Sequence, residues 1–293
     1  MNDQKLTDAL KNHIRDLSRQ AALVGVASVD RFEDAPPGHQ PKDFVPEARS
    51  VVVVALPIVS GLMRWNNFMA ESQIIKEEDV YTDESGQQQT WRPRTVIRKH
   101  VERRCSYEVI NNELQALSMH AAMFLERAGH VSAYLPTTYG QTLSWPGNVQ
   151  WDFPYPPKAF APFSHRHAAV TAGLGTFGLN NLFLTPQYGP RQRLVSVITA
   201  APLVVDAMLT KSVCLGEKCS LCLRSCPAHA FGESHELRVG ATDHKLAAFN
   251  KDACRNYYKA SAWGEQCGRE CMTSCPLGRL RKPSGNFPEG AKQ

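Results

Sequence analysis

No run of about 18 consecutive apolar residues occurs in this chain, so the sequence offers no membrane-spanning helix. Residues Met1 to Gln20 lack the basic start, apolar centre and small-residue cleavage site of a secretory leader, and they hold no twin-arginine pair. The expected location is the cytoplasm, without membrane contact. Cysteine is almost missing from the first 213 residues, where Cys105 stands alone. That excludes a disulfide framework there, and Cys105, at the start of a helical pattern, reads as a plain buried thiol. Neither sign of charge is in strong excess. The net charge of +5 permits an anionic ligand or a nucleic acid but argues for neither. With 43% hydrophobic and 21% charged residues over 293 positions, the chain suits one large globular domain and one small one.

What is present is a crowd of thiols. Eight of the nine cysteines fall between Cys214 and Cys275, which in a cytoplasmic chain points to metal or cluster ligation. The first group is Cys214-x4-Cys219-x2-Cys222-x3-Cys226-Pro227. The second is Cys254, then Cys267-x3-Cys271-x3-Cys275-Pro276. In bacterial ferredoxins three clustered cysteines hold one [4Fe–4S] cubane, and a fourth, just before proline, ligates the other. By that crossover one cluster takes Cys214, Cys219, Cys222 and Cys275, and the other takes Cys226, Cys254, Cys267 and Cys271. Two gaps are longer than the usual two residues, those after Cys214 and Cys267. The competing reading is a pair of four-cysteine zinc sites, but zinc ribbons favour Cys-x2-Cys knuckles without Cys-Pro endings.

Upstream, Leu6, Leu10, Ile14 and Leu17 recur at helical spacing. Ala21–Val29 and Ser50–Val59 read as strands, the second so continuously apolar that it suits the middle of a sheet covered on both faces. Residues 71–91 read as a polar surface excursion or hairpin. A helix is expected from Ser106 to Ala128, with Ile110, Leu114, Leu117, Ala121 and Phe124 on its apolar stripe and Gly129 as its stop. Val131–Leu135 suggests a short strand. Residues 136–160 suggest a long Pro-, Gly- and aromatic-rich segment of the sort that walls a site. Ser164 can cap a helix to Thr171, and Leu194–Val205 is a further strand. The fold class is α+β. The expected division is a sheet domain over 1–208, a ferredoxin-like double-cluster module over 209–282 and a flexible tail over 283–293.

Gly173-Leu174-Gly175-Thr176-Phe177-Gly178 fits the dinucleotide motif G-x-G-x-x-G in letters only. His165–Ala172 before it looks helical, not strand-like, and Gln192–Ala201 holds no acidic residue for a ribose. The glycines permit a tight turn and close approach of backbone to a flat or bulky ligand. The run from Ala172 through Asn180, Thr185, Gln187, Tyr188 and Gly189 to Arg191, followed by Val197-Ile198-Thr199-Ala200-Ala201-Pro202-Leu203 and then by the cysteine groups, resembles the signature shared by epoxyqueuosine reductases and corrinoid-dependent reductive dehalogenases.

The resemblance implies a nitroreductase-like, cobalamin-binding sheet domain. A base-off corrinoid would be held beside one cluster by Gly173, Leu174, Gly175, Gly178, Asn180, Thr185, Gln187, Gly189 and Arg191, and electrons would pass from outer cluster to inner cluster to cobalt. It also implies an external electron donor of the ferredoxin or flavodoxin type and a small-molecule substrate. The epoxyqueuosine reductases carry Asp-Ser-Ala-Pro before the glycines, with the aspartate as proton donor. This chain has Ala159-Phe160-Ala161-Pro162 instead, so tRNA is not an expected substrate. The Thr-Pro-Gln-Tyr-Gly-Pro-Arg run is closer to the dehalogenases.

The candidate proton donors are Tyr107, His165 and Tyr188. Each has a plainer reading, as a packed or hydrogen-bonded side chain. Tyr139, Trp145, Trp151, Phe153 and Tyr155 are candidate cavity walls. Arg92, Arg94, Arg98, Lys99, Arg103 and Arg104 read best as a solvated helix face. Two other functions stay open: an electron-transfer or accessory protein serving a partner, and a flavin-dependent iron–sulfur reductase.

Overall fold

The computed structural model describes residues 2–63, 78–91, 93, 101–137, 163–240, 242–260 and 270–278. Its centre is a four-stranded antiparallel sheet. Strands β1 (Leu23–Ser28), β2 (Ser50–Pro57), β8 (Gln192–Thr199) and β5 (Ser132–Tyr134) lie in the order β1-β2-β8-β5. Ser50 through Leu56 of β2 are all buried, as the unbroken apolar run requires. Alternate residues serve opposite faces: Val52, Val54 and Leu56 join one core, Val51 and Val53 the other.

The first core is covered by α1 (Asp3–Leu17) and α2 (Ile110–Arg127). Asn2 caps α1 through the Lys5 amide at 2.9 Å, and Leu6, Leu10 and Ile14 turn inward while Leu17 is exposed. Leu114, Leu117 and Ala121 form the buried stripe of α2, with Ile110 and Phe124 half-buried beside it. Gly129, at φ +88°, ends the helix where the His130 amide reaches back to Leu125. The expected start at Ser106 is corrected: Val101–Val109 is a wider π-type coil that precedes α2. Cys105 lies in it and is exposed, which corrects the expectation of a buried thiol.

The second core is covered by α3 (His165–Thr171), capped by Ser164 as expected. Residues 78–91 form the polar hairpin β3 (Asp79–Thr82) and β4 (Gln88–Trp91). Strand β8 ends six residues before the expected Val205, because the Ala200–Pro202 segment turns out of the ladder and Ser50 Oγ bonds Ala201 O at 2.8 Å.

The glycine signature makes the two-residue hairpin β6 (Thr176–Phe177) and β7 (Phe183–Leu184). The cysteine segment adds α4 (Leu221–Arg224), a long hairpin β9 (Phe231–Val239) and β10 (Thr242–Phe249), α5 (Lys251–Ala260) and α6 (Glu270–Thr273). That hairpin, unexpected from sequence, seats on the sheet domain. Asn181 Nδ2 donates to Ala247 O at 2.6 Å, and the Ala247 amide to Leu179 O at 2.9 Å. Among the described residues no helix is long and apolar enough to cross a membrane.

Leu114 is fully buried and Met123, on the same helix, is 43% exposed. Leu114→Ala is expected to cost about 3 kcal/mol and Met123→Ala under about 0.5 kcal/mol, read as the shift in urea midpoint.

Candidate metal centre

Cys214, Cys219, Cys222 and Cys275 line one cavity, together with Leu179, Asn180 and Leu184 from the sheet domain. The local chain explains how three of them converge. The Val213 amide is tied to Thr176 Oγ1 at 2.9 Å, which fixes the approach to Cys214. The Gly216 amide points at Cys214 Sγ from 3.4 Å. Ser220 takes a left-handed turn, φ 46°, that starts α4 and swings Cys222 back. Cys275 arrives from α6, which packs on α4. Burial pushes the Cys222 thiol up to about 11, with further increments from Cys214, Cys275 and Cys219. Burial also raises Cys275, opposed by a backbone bond at Leu277 and by the Arg191 guanidinium. A positive centre bound in the cavity would favour the thiolate forms of Cys222 and Cys275 and offset that cost of burial.

Of the second set, Cys226 is buried, and Cys254 on α5 and Cys271 on α6 are half-buried. Cys267 lies outside the described residues. Among the described residues, no three His, Cys, Asp or Glu side chains close to the spacing of a single metal ion.

The signature residues are engaged with the chain itself. A Cβ on Gly175 would strike the Leu184 carbonyl, one on Gly173 the Ala207 carbonyl, and one on Gly178 would lie 2.6 Å from Leu184 Cδ1. Gly189, at φ +57°, lies against the Leu277 carbonyl. Leu174 packs on Gly25. Thr185 is fully buried and bonds Gln192 Oε1 at 3.1 Å. Asn180 Nδ2 donates to Cys271 O at 2.6 Å. Arg191, 5% exposed, donates from Nη1 to Met272 O at 3.0 Å and Cys275 O at 3.1 Å, and from Nη2 to Leu277 O. Of the nine, Gln187 alone is exposed. Among the described residues, the other eight are thus in contact with the chain itself.

The three candidate proton donors do not converge. Tyr107 lies under the Arg193 guanidinium, 4.1 Å from the ring centre. His165 Nδ1 pairs with Ser196 Oγ at 2.9 Å. Arg193 and Ser196 are three apart on β8 and so point to opposite faces, which puts Tyr107 and His165 on opposite sides of the sheet. His165 Nε2 is 2.9 Å from Pro136 O and must donate to it, so in the neutral ring Nδ1 accepts from Ser196. Tyr188 donates to Ala21 O at 3.4 Å, and burial raises its pKa. Ser164 Oγ meets His167 Nδ1 at 2.6 Å, and Phe177 stands between the His167 and His244 rings. His244 Nε2 is buried without a hydrogen-bond partner among the described residues. Tyr139, Trp145, Trp151, Phe153, Tyr155 and Ala159 lie outside the described residues, as do Arg92, Arg94, Arg98 and Lys99.

This geometry defines a mixed helix-and-sheet protein with a multi-thiol centre docked on its sheet. No protein-family model matches the chain. A 117-residue stretch, 37% of the chain, is 34% identical to tetrachloroethene reductive dehalogenase of Sulfurospirillum multivorans, covering 22% of that protein. Over 125 residues, 42% of the chain, identity to epoxyqueuosine reductase of Cyclobacterium marinum is 30%, covering 39% of that protein. A selenomethionine-labelled epoxyqueuosine reductase structure superposes with a TM-score of 0.57 at 17% identity, over 94% of this chain and 66% of that one. A reductive dehalogenase structure described for B12-dependent dehalogenation gives 0.55 at 18% identity, over 91% of this chain and 32% of that one. The chain is thus similar in part of its sequence, and in fold, to both epoxyqueuosine reductases and reductive dehalogenases, and it spans well under half the length of the curated relatives it matches.

Burial holds His165 and His167 down to about 4; Arg193 adds to this at His165, Arg166 and His244 at His167. Both are neutral in the fold where the unfolded chain already binds protons, so stability is full above about pH 6.5 and is lost between about 6.5 and 4. The melting temperature is expected to fall across that window. A His165→Gln, His167→Gln double variant should show a shallower fall, read as its difference from wild type. Gly175→Ala should lower soluble yield and melting temperature before any ligand is added, because the new methyl meets backbone.

Proposed function

We propose that this chain is an iron–sulfur redox protein of the reductase type, with a cubane held by Cys214, Cys219, Cys222 and Cys275 and a second held by Cys226, Cys254, Cys267 and Cys271. The single observation that carries the reading is the shared cavity. It gathers the four thiols of the crossover set from two places in the sequence. A cubane gives one iron to each thiolate, so its ligands stand further apart than those of one tetrahedral ion. A bound cubane supplies a one-electron store.

The chain's own residues supply the rest. Leu179 and Leu184 give the cavity an apolar wall toward the sheet domain. Cys214, Cys219 and Cys222 are half-buried, which suits electron exchange with a ferredoxin- or flavodoxin-type donor. The proposed division remains a sheet domain over 1–208, a double-cluster module over 209–282 and a tail over 283–293. A small-molecule substrate is favoured over tRNA by Ala159, which replaces the relatives' aspartate.

Corrinoid dependence is supported by the sequence similarity to reductive dehalogenases and by the B12-dependent dehalogenation of the neighbouring structure. The residues that would hold the group are Gly173, Leu174, Gly175, Gly178, Asn180, Thr185, Gln187, Gly189 and Arg191, and a bound corrinoid would supply a low-valent cobalt for reduction. Asn180, Gly189 and Arg191 contact the cysteine segment, which favours a second reading, an electron-transfer protein that serves a partner.

Anaerobically purified protein should carry about eight iron and eight sulfide per chain. Cys275→Ser should damage the cluster of the Cys214 group and spare the other. Two zinc with no sulfide would defeat the cluster reading. Hydroxocobalamin added to cluster-loaded protein separates the two functions: a changed cobalt spectrum supports the corrinoid enzyme, and an unchanged one supports the electron carrier.

A further inference from the structure

Three thiols of the Cys214 set come from one nine-residue loop, and the fourth, Cys275, comes from about fifty positions later. The stretch that carries it, 270–278, holds one helical turn, and so short a helix does not fix its own place. Its backbone is instead received by the sheet domain. Arg191 donates to Met272, Cys275 and Leu277 carbonyls. Asn180 donates to the Cys271 carbonyl. Gly189 and Gly278 allow the two backbones to touch, at Leu277 and at Tyr188.

We propose that Arg191, assisted by Asn180, is the positioning residue that sets Cys275 for the first cluster, so that its fourth thiolate is delivered by contact with the sheet domain. This rests on the cluster reading above. The guanidinium suits the task because its planar fork serves several acceptors at once and stays charged. Its charge lies at the backbone of the ligand residue, 3.1 Å from the Cys275 carbonyl. One-electron reduction, from dithionite for instance, adds a negative charge to the cluster and breaks no bond. A neighbouring cation favours that reduced state and raises the midpoint potential.

The test uses the full chain, purified anaerobically with its clusters. Arg191→Gln should keep the far-ultraviolet circular dichroism of wild type and fall from about eight iron to about four. Any first cluster it retains should have a lower midpoint potential and an altered electron paramagnetic resonance signal. Arg191→Lys keeps the charge without the fork and should keep the midpoint potential closer to wild type than Arg191→Gln does. If Arg191→Gln does not fold, Asn180→Ala decides, since it removes one hydrogen bond to the loop. It should lose iron to a chelator about fivefold faster, the equivalent of one hydrogen bond. Arg191→Gln with full iron, unchanged potential and unchanged resonance would overturn the proposal, as would Asn180→Ala indistinguishable from wild type. Wild-type protein without iron would overturn the cluster reading and this inference with it.

Discussion

A buried guanidinium hydrogen-bonded to three carbonyls joins the two halves of this molecule, and the arrangement of the cysteines depends on it. Arg191 leaves β8's approach at 5% exposure and reaches Met272, Cys275 and Leu277. Taking a cation out of water costs several kcal/mol unless its donors are satisfied, and carbonyls of an irregular loop need donors for the same reason. Each side supplies what the other lacks. The loop has no ladder to absorb its backbone groups, and the sheet domain has a fork of N–H groups held next to the cavity wall.

The glycine signature fits this account. A motif with three glycines suggests a surface opened for a ligand, since backbone without Cβ allows close approach. Here the approaching body is the chain itself: Leu184, Ala207 and Leu277 carbonyls fill the space that side chains at 175, 173 and 189 would need. The same steric requirement produces both patterns, which is why letters alone do not separate them. Gly175 lets the β6–β7 hairpin close on Leu184, Gly173 admits the segment that carries Ala207, and Gly189 admits the cysteine loop at Leu277.

Much of the sheet domain was legible in the sequence. The apolar run of β2, the stripes of α1 and α2, the Ser164 cap and the Gly129 stop are local signals, and the local physics that writes them also decides the structure. The hairpin β9–β10 was not legible, because Phe231–Val239 buries little beyond its last residue and so writes no period of two. Cys105 was misjudged on residue type alone, since thiols are usually buried and this one is exposed on a π-type turn. The Cys-Pro spacing led to the expectation that Cys275 joins the Cys214 group, and those four residues line one cavity. The partners of Asn180 and Arg191 were not, because hydrogen bonds to backbone more than eighty positions away leave no mark on neighbouring letters.

The distribution of charge follows from the same burial. His165 and His167, which in sequence look like acids beside a cofactor motif, are held neutral near pH 7 by desolvation. His165 has both nitrogens occupied, tying Pro136 to β8. They bring no charge to the region. In the proposed cluster, four thiolates around an oxidised cubane would carry a net charge of about −2, and the Cys275 carbonyl accepts from a guanidinium that cannot deprotonate. The fold places one permanent cation at Cys275 and keeps His165 and His167 neutral. At neutral pH the charge that bears on the Cys275 thiolate is therefore fixed by Arg191 and not by a titrating histidine.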